Sequence, residues 1–462
     1  MKQKAEYMDL ALRAVAAGKN AGAEGAEAFL SDTESVQVTV SGGKIEQVNA
    51  AREAGIGLRL LKDQRMISGS TNELSPDAVE SLARELMRKL PYHTPDEFNT
   101  IPGGESGRLE KEWSGYADLI TYDPAIAEAP VEDKIRKALR MEAAGLEFSP
   151  KISGSMMVVY QDSASCIYLA NSNGIAGWFP ASGCGGGVEM SAAEGDDHQS
   201  GSYSQAFARY ADFDADGIGR RAAEKAVRML GARPIASCEV PMVVSPEVGA
   251  EIFSFLAGLL SADEVQKGRS LFAGKLGTRV ASPAFSLIDD GRLKGGLSTA
   301  PVDGEGVPQQ TTPLIVDGIL KNYLYDSYSA RKGKTRSTGN RRREGFDSRG
   351  GIGPTNFYLQ PGRPRPQEIV AGVRRGFYLS EAIGIFAGIN TASGDFSIPA
   401  AGFLIEGGRL TKPVRGVSIG GNLFELLRSV DKIGNDLTWF QSLGCPTFSV
   451  SAIKIGGGST GA

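Results

Sequence analysis

Hydrophobic positions in the first part of the chain switch between helical and strand spacing. Apolar side chains form one stripe over residues 4–22, which predicts an amphipathic helix. Apolar and polar residues then alternate at 36–40 and at 56–60, with glycines at 42 and 43 between them, so two strands joined by a turn are predicted. Ser75, followed by proline, is typical of the start of a second helix. This order of elements predicts a small sheet covered by helices on one face.

The pattern continues after a segment of different composition. Residues 91–130 are richer in proline, glycine and acidic residues, which is typical of a connecting region. Helical spacing returns at 131–147 and again at 215–230, where Gly231 stands in the position of a C-terminal cap. Between these helices, residues 153–209 consist of strand-like runs separated by turn residues.

From about residue 238 the chain consists of short strand-like runs with frequent glycine, and two helices are predicted, at 247–262 and 423–430. The predicted fold class is therefore α+β. An N-terminal α/β region spans 1–235, and a β-rich domain spans 236–462. A finer division of the first region into 1–95 and 110–235 is the alternative.

Composition narrows the class of protein. Glycine makes up 60 of the 462 residues, an excess that favours strands, turns and close backbone approaches. The net charge of -4 gives no global reason to expect nucleic-acid binding. The 4 cysteines show no CxxC spacing, which favours a reducing compartment. The uncharged stretches of the chain are broken by polar residues, which argues against a membrane-spanning helix. We therefore expect a cytoplasmic protein without a membrane span.

One segment is strongly basic. Between Arg331 and Arg349, eight Lys or Arg residues stand against Glu344 and Asp347, a formal charge of about +6. One interpretation is a loop that binds nucleic acid or another anion. Phe346 is the only aromatic residue available there for base stacking, so a solvated, mobile loop is favoured and nucleic acid is not an expected partner.

Histidine is scarce. His93 and His198 are the only two, and they lie far apart in sequence. A zinc site on a helix normally needs two histidines about one turn apart with a glutamate beside the first. The helix predicted at 247–262 has Ser245 as a suitable cap and apolar residues at core spacing, which indicates a structural helix.

Two blocks in the second half resemble the TldD/PmbA family. They are LSTAPVDGEGVPQQTTPLIVDGILKNYLYDSYSARKGKTRSTGN at 297–340 and SGDFSIPAAGFLIEGGRLTKPVRGVSIGGNLFELLRSVDKIGND at 393–436. The resemblance implies an N-terminal α/β region, a C-terminal domain of the TldD/PmbA type, and a dimer. In this family the TldD branch is a metalloprotease with a HExxxH motif. The TldE or PmbA branch lacks it and pairs with TldD to trim unfolded peptides.

The chain resembles the branch without the motif. The resemblance places the motif positions at Phe253, Ser254 and Gly258, and no histidine lies near them. The third zinc ligand of the active branch is a cysteine, and Cys445 lies close to that region within a shortened loop. We therefore expect a pseudoenzyme without peptidase activity alone and without a cofactor, zinc being expected only in a TldD-type partner.

The resemblance also implies where a peptide would bind. The candidates are Asp326, Tyr328, Arg331, Thr338, Gly339 and Asn422. The predicted function is a non-catalytic TldE/PmbA-like subunit of a TldD/TldE-type zinc metalloprotease complex, with a TldD-like chain or a second copy as partner. The alternative is a stand-alone homodimer that binds peptide or nucleic acid, in line with the family's label as modulators of DNA gyrase.

Overall fold

The computed structural model describes residues 2–103 and 118–457. The described strands of the N-terminal half are β1 (Gly25–Ser41), β2 (Lys44–Lys62), β3 (Arg65–Thr71), β4 (Ile152–Asn171), β5 (Ala176–Glu194) and β6 (Asp197–Phe207). The helices of the same half are α1 (Lys2–Asn20), α2 (Pro76–Lys89), α3 (Pro124–Glu128), α4 (Val131–Leu146) and α5 (Ala215–Arg228).

These strands form one antiparallel sheet in the order β3-β2-β1-β4-β5-β6. The predicted turn at Gly42 and Gly43 connects β1 and β2, which pair from Gly25 opposite Leu61 to Ser41 opposite Lys44. Because β1 also pairs with β4, strands from both parts of the predicted division 1–95 and 110–235 belong to the same sheet. That division stays a prediction, and part of the connecting segment, residues 104–117, lies outside the described residues.

The helices cover one face of this sheet. At one end, α1 and α2 pack on a cluster that includes Leu30, Leu58 and Leu60. At the other end, α4 and α5 cover a second cluster that includes Val38 and Tyr160. The prediction of helices on one face of a sheet is therefore confirmed, and the opposite face is left toward the rest of the chain.

The C-terminal half is rich in short strands. They are β7 (Cys238–Val244), β8 (Leu287–Asp290), β9 (Thr311–Val316), β10 (Ile319–Leu320), β11 (Arg341–Arg342), β12 (Gly351–Ile352), β13 (Phe357–Leu359), β14 (Arg375–Ala382), β15 (Asp395–Glu406), β16 (Arg409–Asn422), β17 (Val430–Ile433), β18 (Thr438–Phe440), β19 (Leu443–Cys445) and β20 (Phe448–Gly456). The helices are α6 (Pro246–Leu259), α7 (Ala262–Gln266), α8 (Ser327–Lys332), α9 (Pro366–Ala371), α10 (Ile385–Gly388) and α11 (Leu423–Arg428).

Two six-stranded sheets organise this half. One has the order β10-β9-β8-β13-β19-β18, and the other has the order β16-β15-β14-β7-β20-β17. An additional pairing of β16 with β20 closes part of the second sheet into a barrel. Helix α6 packs against strands of both sheets, and the main hydrophobic core surrounds it. The α+β fold class with a β-rich C-terminal region is therefore confirmed.

The two halves meet on the face of the N-terminal sheet that carries no helices. Phe29, Leu169 and Phe179 of that face pack against Val302 of the C-terminal half. Further along the same face the two halves separate and leave a cleft, which is described below. Among the described residues, no helix combines the length and the apolar character needed to cross a membrane.

Candidate functional site

Helix α6 carries the positions at which the family resemblance places the zinc motif. It begins at Pro246, and the Ser245 side chain accepts a hydrogen bond from the Val248 amide at 3.4 Å, as its sequence predicts for a cap. Most of its side chains are buried, because the helix lies between the two C-terminal sheets. The site around α6 is therefore constrained by core packing on most of its circumference.

Phe253, at the first motif position, belongs to this core. Its side chain has no exposed surface. Its ring stacks on Phe448 with centroids 6.1 Å apart and meets Phe285 edge-on at 5.9 Å. Aromatic pairs of this kind stabilise a core beyond the area that they bury. The position thus holds a packed apolar side chain in place of a metal ligand.

The other two motif positions do not converge with it. Ser254 is half-buried, and Gly258 is exposed, with no atom within 4 Å of the place where a side chain would begin. Five residues along an α-helix correspond to a rotation of about 140° beyond one full turn, so 253 and 258 face different directions. One position faces the core and the other faces solvent.

Cys445, the candidate third ligand, lies under α6 one turn before Phe253. A Cβ atom at Gly249 would collide with its sulfur, so only glycine permits this approach. The thiol is fully buried, and burial raises its pKa well above the usual range, with a smaller contribution from Asp436. A neutral buried thiol among apolar side chains does not fit a zinc site, which needs a thiolate and further nitrogen or sulfur ligands.

Across the described residues 2–103 and 118–457, no group of three or more His, Cys, Asp or Glu side chains has a metal-binding arrangement. The residues at 253, 254, 258 and 445 therefore do not fit zinc.

The predicted substrate-binding residue Asp326 has a structural contact on each carboxylate oxygen. It is buried, and it accepts a hydrogen bond from the Ser329 amide at 2.8 Å, which caps α8. Its second oxygen pairs with Arg341 at 2.6 Å. Both oxygens are thus occupied within the chain.

Tyr328 and Arg331, on the same helix, reach the N-terminal half. The Tyr328 hydroxyl donates to Asp96 at 2.7 Å, and this bond lowers the pKa of Asp96 and raises the pKa of Tyr328 to about 12. Arg331 donates to the Asn99 carbonyl at 3.2 Å from an exposed position. Helix α8 therefore ties the segment after α2 to the C-terminal half.

Thr338 and Gly339 lie beside this helix, whereas Asn422 belongs to another part of the barrel. The Thr338 hydroxyl accepts from the Tyr325 amide at 2.7 Å, and Gly339 has a φ of 72° with the Pro308 carbonyl close to it. Asn422 caps α11 and donates to Asp395 at 2.9 Å. The structure thus brings five of the six candidates together around α8, and their role in substrate binding stays a prediction.

The basic segment differs from the mobile loop that its charge predicts. It begins in the last turn of α8 and contains β11, and Arg341 and Arg343 are largely buried. Arg343 pairs with Glu27 of β1, which also pairs with Arg59 at 2.8 Å. Burial alone would raise the pKa of Glu27, but Arg59 and then Arg343 outweigh it and hold that pKa below its usual value. Carboxylates distant in sequence neutralise these cations, so repulsion within the segment does not unfold it.

The cleft between the halves is the other candidate site. Its floor is the helix-free face of the N-terminal sheet, and its roof consists of residues 297–298 and 441–442. A cavity of about 500 Å³ lies between them, and neighbouring cavities of about 450 Å³ and 130 Å³ share Leu297 with it. The two larger volumes are in the range of ligand pockets.

The hairpin of β18 and β19 connects the cleft to helix α6. Its tip, Gln441 and Ser442, forms part of the cleft roof, and its last residue, Cys445, lies under the helix. Phe440 of the hairpin packs edge-on against Tyr203 of β6 at 6.5 Å. The degenerate motif and the cleft are therefore parts of one contiguous region.

A smaller cavity of about 340 Å³ lies beside the first turn of α6. Glu251 is exposed in this crevice, yet nearby protein atoms remove enough water to raise the pKa of its carboxyl to about 7, with Glu247 and Glu381 adding to the effect. Glu247 itself pairs with Lys225 at 2.8 Å. A carboxyl with a raised pKa therefore lies two residues before the buried Phe253.

Neither the cleft nor Glu251 was identified in the sequence. A signal for the cleft was present, because the polar residues that alternate with Val36, Val38 and Val40 are uncharged. Glu251 had no comparable signal, since its raised pKa depends first on desolvation by the folded chain and only then on Glu247 and Glu381.

Comparisons with known proteins cover nearly the whole chain. Three family models match consecutive segments: PmbA/TldA metallopeptidase domain 1 at 26–89, the central domain at 124–230 and the C-terminal domain at 237–457. Metalloprotease PmbA from Escherichia coli O157:H7 is 25% identical over 446 residues, which are 96% of this chain and 94% of that protein. A metalloprotease TldD homologue from Haemophilus influenzae is 35% identical over 176 residues, 38% of this chain and 36% of that protein.

Solved structures match over similar lengths. A proposed modulator of DNA gyrase from Thermotoga maritima has 26% identity and a TM-score of 0.86, covering 97% of this chain and 99% of that one. TldE from Thermococcus kodakarensis has 22% identity and a TM-score of 0.86, covering 96% of this chain and 99% of that one, and this likeness concerns the fold.

Proposed function

Because the chain belongs to the PmbA/TldD metallopeptidase family, we propose that it is a non-catalytic, TldE/PmbA-like subunit of a TldD/TldE-type zinc metalloprotease complex. The complex would degrade or trim unfolded peptides. The observation that carries the proposal is that Phe253 is a core aromatic residue, and the family resemblance places the first histidine of the active branch at this position.

The chemistry of the motif region supports this assignment. Without two imidazoles, a single buried thiol and water cannot hold a catalytic zinc ion against competitors. The zinc ion of the proposed complex would therefore belong to the TldD-type partner. This chain would contribute walls of the chamber that holds the peptide.

The names of relatives support the partnership in different ways. PmbA-named proteins align with this chain over almost their full length, and TldD-named proteins align over a shorter region. Pairing of two related chains is common in protein assembly, because related surfaces can be mutually complementary. The names of these relatives include the word metalloprotease, so activity of this chain alone has to be measured directly.

The test uses the purified full chain, alone and mixed with a TldD-type chain. Alone, we expect no stoichiometric zinc by elemental analysis and no cleavage of an unfolded peptide. With the second chain, we expect a complex by light scattering and chelator-sensitive cleavage. About one zinc per chain together with chelator-sensitive cleavage by this chain alone would refute the proposal, and so would the absence of any complex on mixing.

The exposed cations of the basic segment favour one alternative, a stand-alone regulator that binds nucleic acid. Arg331, Lys332, Lys334 and Arg336 remain exposed beside α8. Binding of this kind would weaken steeply with added salt, because it releases counterions from the phosphates. A titration with duplex DNA at several salt concentrations separates this function from the proposed one.

A further inference from the structure

Three carboxamide side chains form a row across the floor of the cleft. In the antiparallel register, Gln37 of β1 lies directly opposite Asn49 of β2 and Gln161 of β4. Residues directly opposite one another point to the same face of a sheet. This is the helix-free face, because Val36 and Val38, which alternate with Gln37, pack under α4 and α5. All three residues line the cavity of about 500 Å³.

The residues that continue the row are small and uncharged. Gly185 lies opposite Gln161, and a second row places Ser35 opposite Ser163 and Ser163 opposite Gly183. The absence of side chains at the glycines leaves the sheet backbone open to close approach. The floor is therefore flat next to the carboxamides.

Among the described residues that line the cavity, the one carboxylate is engaged on the opposite face. Asp162 pairs with Lys134 at 2.7 Å and accepts from the Tyr160 hydroxyl at 2.7 Å, and all three side chains are buried. Asp162 is thus neutralised beneath the floor. The described residues that line the cavity therefore offer a ligand amide and hydroxyl groups without a free charge.

The roof has the same chemistry. Ser298, Gln441 and Ser442 line the opposite side of the cavity. Gln441 has a φ of 55°, a left-handed conformation that is uncommon for residues other than glycine and that places it at the hairpin tip. Strained residues of this kind often occur at binding sites.

No hydrogen bond of the described residues involves the side-chain amides of Gln37, Asn49 or Gln161. Each carboxamide can donate two hydrogen bonds and accept two. A row of three on neighbouring strands spans about 10 Å, the length of about three residues of extended chain.

We propose that this uncharged carboxamide row is a subsite for the main chain of an unfolded peptide, which it holds by hydrogen bonds to successive peptide groups. The inference rests on the proposed function, since it places the substrate on the N-terminal sheet of the non-catalytic subunit. Amide groups pair with amide groups irrespective of side chains, so the subsite tolerates many sequences. Because the described residues of the subsite carry no free charge, its affinity is insensitive to salt.

The test is peptide binding to the full chain, followed by saturation-transfer NMR. The probe is an end-blocked peptide of about ten glycine, serine and alanine residues. We expect binding that changes little between about 50 and 500 mM salt. The double variant Gln37→Ala/Gln161→Ala should weaken it by about tenfold or more, because several hydrogen bonds are lost together. Gln367→Ala, which removes an exposed carboxamide outside the cavity, is the matched control and should leave binding unchanged.

Three outcomes would overturn the subsite. In the first, the probe peptide does not bind to the parent chain. In the second, the parent chain and the double variant bind the peptide equally. In the third, the bound probe is displaced by a neutral oligosaccharide such as maltohexaose but not by excess unlabelled peptide. If the double variant fails to fold by circular dichroism, Asn49→Ala on the exposed strand β2 replaces it.

Complex formation with a TldD-type chain should be unaffected by the double variant. If the complex forms but the variants bind peptide as well as the parent chain, the subsite is refuted and the proposed function is intact. If the parent chain binds peptide through the row but forms no complex with a TldD-type chain, the proposed function is refuted and the subsite is intact.

Discussion

At the residue scale, a buried aromatic side chain occupies the position at which the family resemblance places the first zinc ligand of the active branch. Phe253 fills the space between Phe448 and Phe285, so the helix contributes packing where a histidine would contribute a ligand. Cys445 lies against Gly249 in the same core, and burial keeps its thiol protonated. Each of these side chains stabilises the fold, and none is arranged to activate water.

Phe253→Ala should lower the free energy of unfolding by about 3–5 kcal/mol, because it removes buried surface and leaves a cavity. Ser254→Ala, next to it and half-buried, should change stability by about 0.5 kcal/mol or less and serves as the control. Chemical denaturation of both variants checks this. Equal stability of the two variants would contradict the packing assigned to Phe253.

At the scale of elements, helix α8 is a connector held in place by its cap. Asp326 joins the first turn of α8 to Arg341, while Tyr328 and Arg331 on the helix contact Asp96 and Asn99. The short helix would not be stable alone, since isolated helices of this length are not formed in water. Its contacts explain why the basic segment is structured.

Asp326→Ala should destabilise the protein by about 3–5 kcal/mol, because Arg341 stays buried and loses a partner. Asp326→Asn keeps an oxygen that can cap the helix and should cost less. Thermal unfolding ranks the two variants. If both variants are as stable as the parent while peptide binding is lost, the carboxylate serves the substrate, as the family resemblance predicted, and the structural role described above is wrong.

At the scale of the whole molecule, buried ion pairs join the two halves. Glu27 of β1 pairs with Arg343 across 316 positions of sequence, and Arg59 links the same carboxylate to Glu305. Beyond these pairs, a small apolar cluster and the α8 contacts hold the cleft at a defined width. The two sides of the cleft are therefore joined by both ion pairs and apolar packing.

Glu27→Ala should lower the unfolding free energy by about 3–5 kcal/mol and separate the unfolding of the two halves, because it leaves two buried arginines without this carboxylate. Arg52→Ala removes the exposed pair of Arg52 with Asp32 in the same sheet and should cost about 1 kcal/mol or less. Scanning calorimetry distinguishes the two results. A single unshifted transition for Glu27→Ala would show that the ion pairs do not couple the halves.

The sequence by itself determined the local elements. Helical spacing with Ser75 and Ser245 as caps depends on residues a few positions apart, and both helices were predicted close to their observed bounds. Strand alternation around the glycines at 42 and 43 located the turn, but it covered only part of the two long strands β1 and β2. The absence of motif histidines was equally plain, because it requires only a count.

Tertiary structure alone decided which distant residues meet. The neutralisation of Arg343 by Glu27, the approach of Cys445 to Gly249, and the alignment of Gln37 with Gln161 all depend on sheet order and register. A shift of register by one residue would turn Gln161 to the opposite face of the sheet, and nothing in the local pattern specifies which strand lies opposite. Charge counting therefore predicted a mobile basic loop, whereas long-range packing placed carboxylates against its arginines.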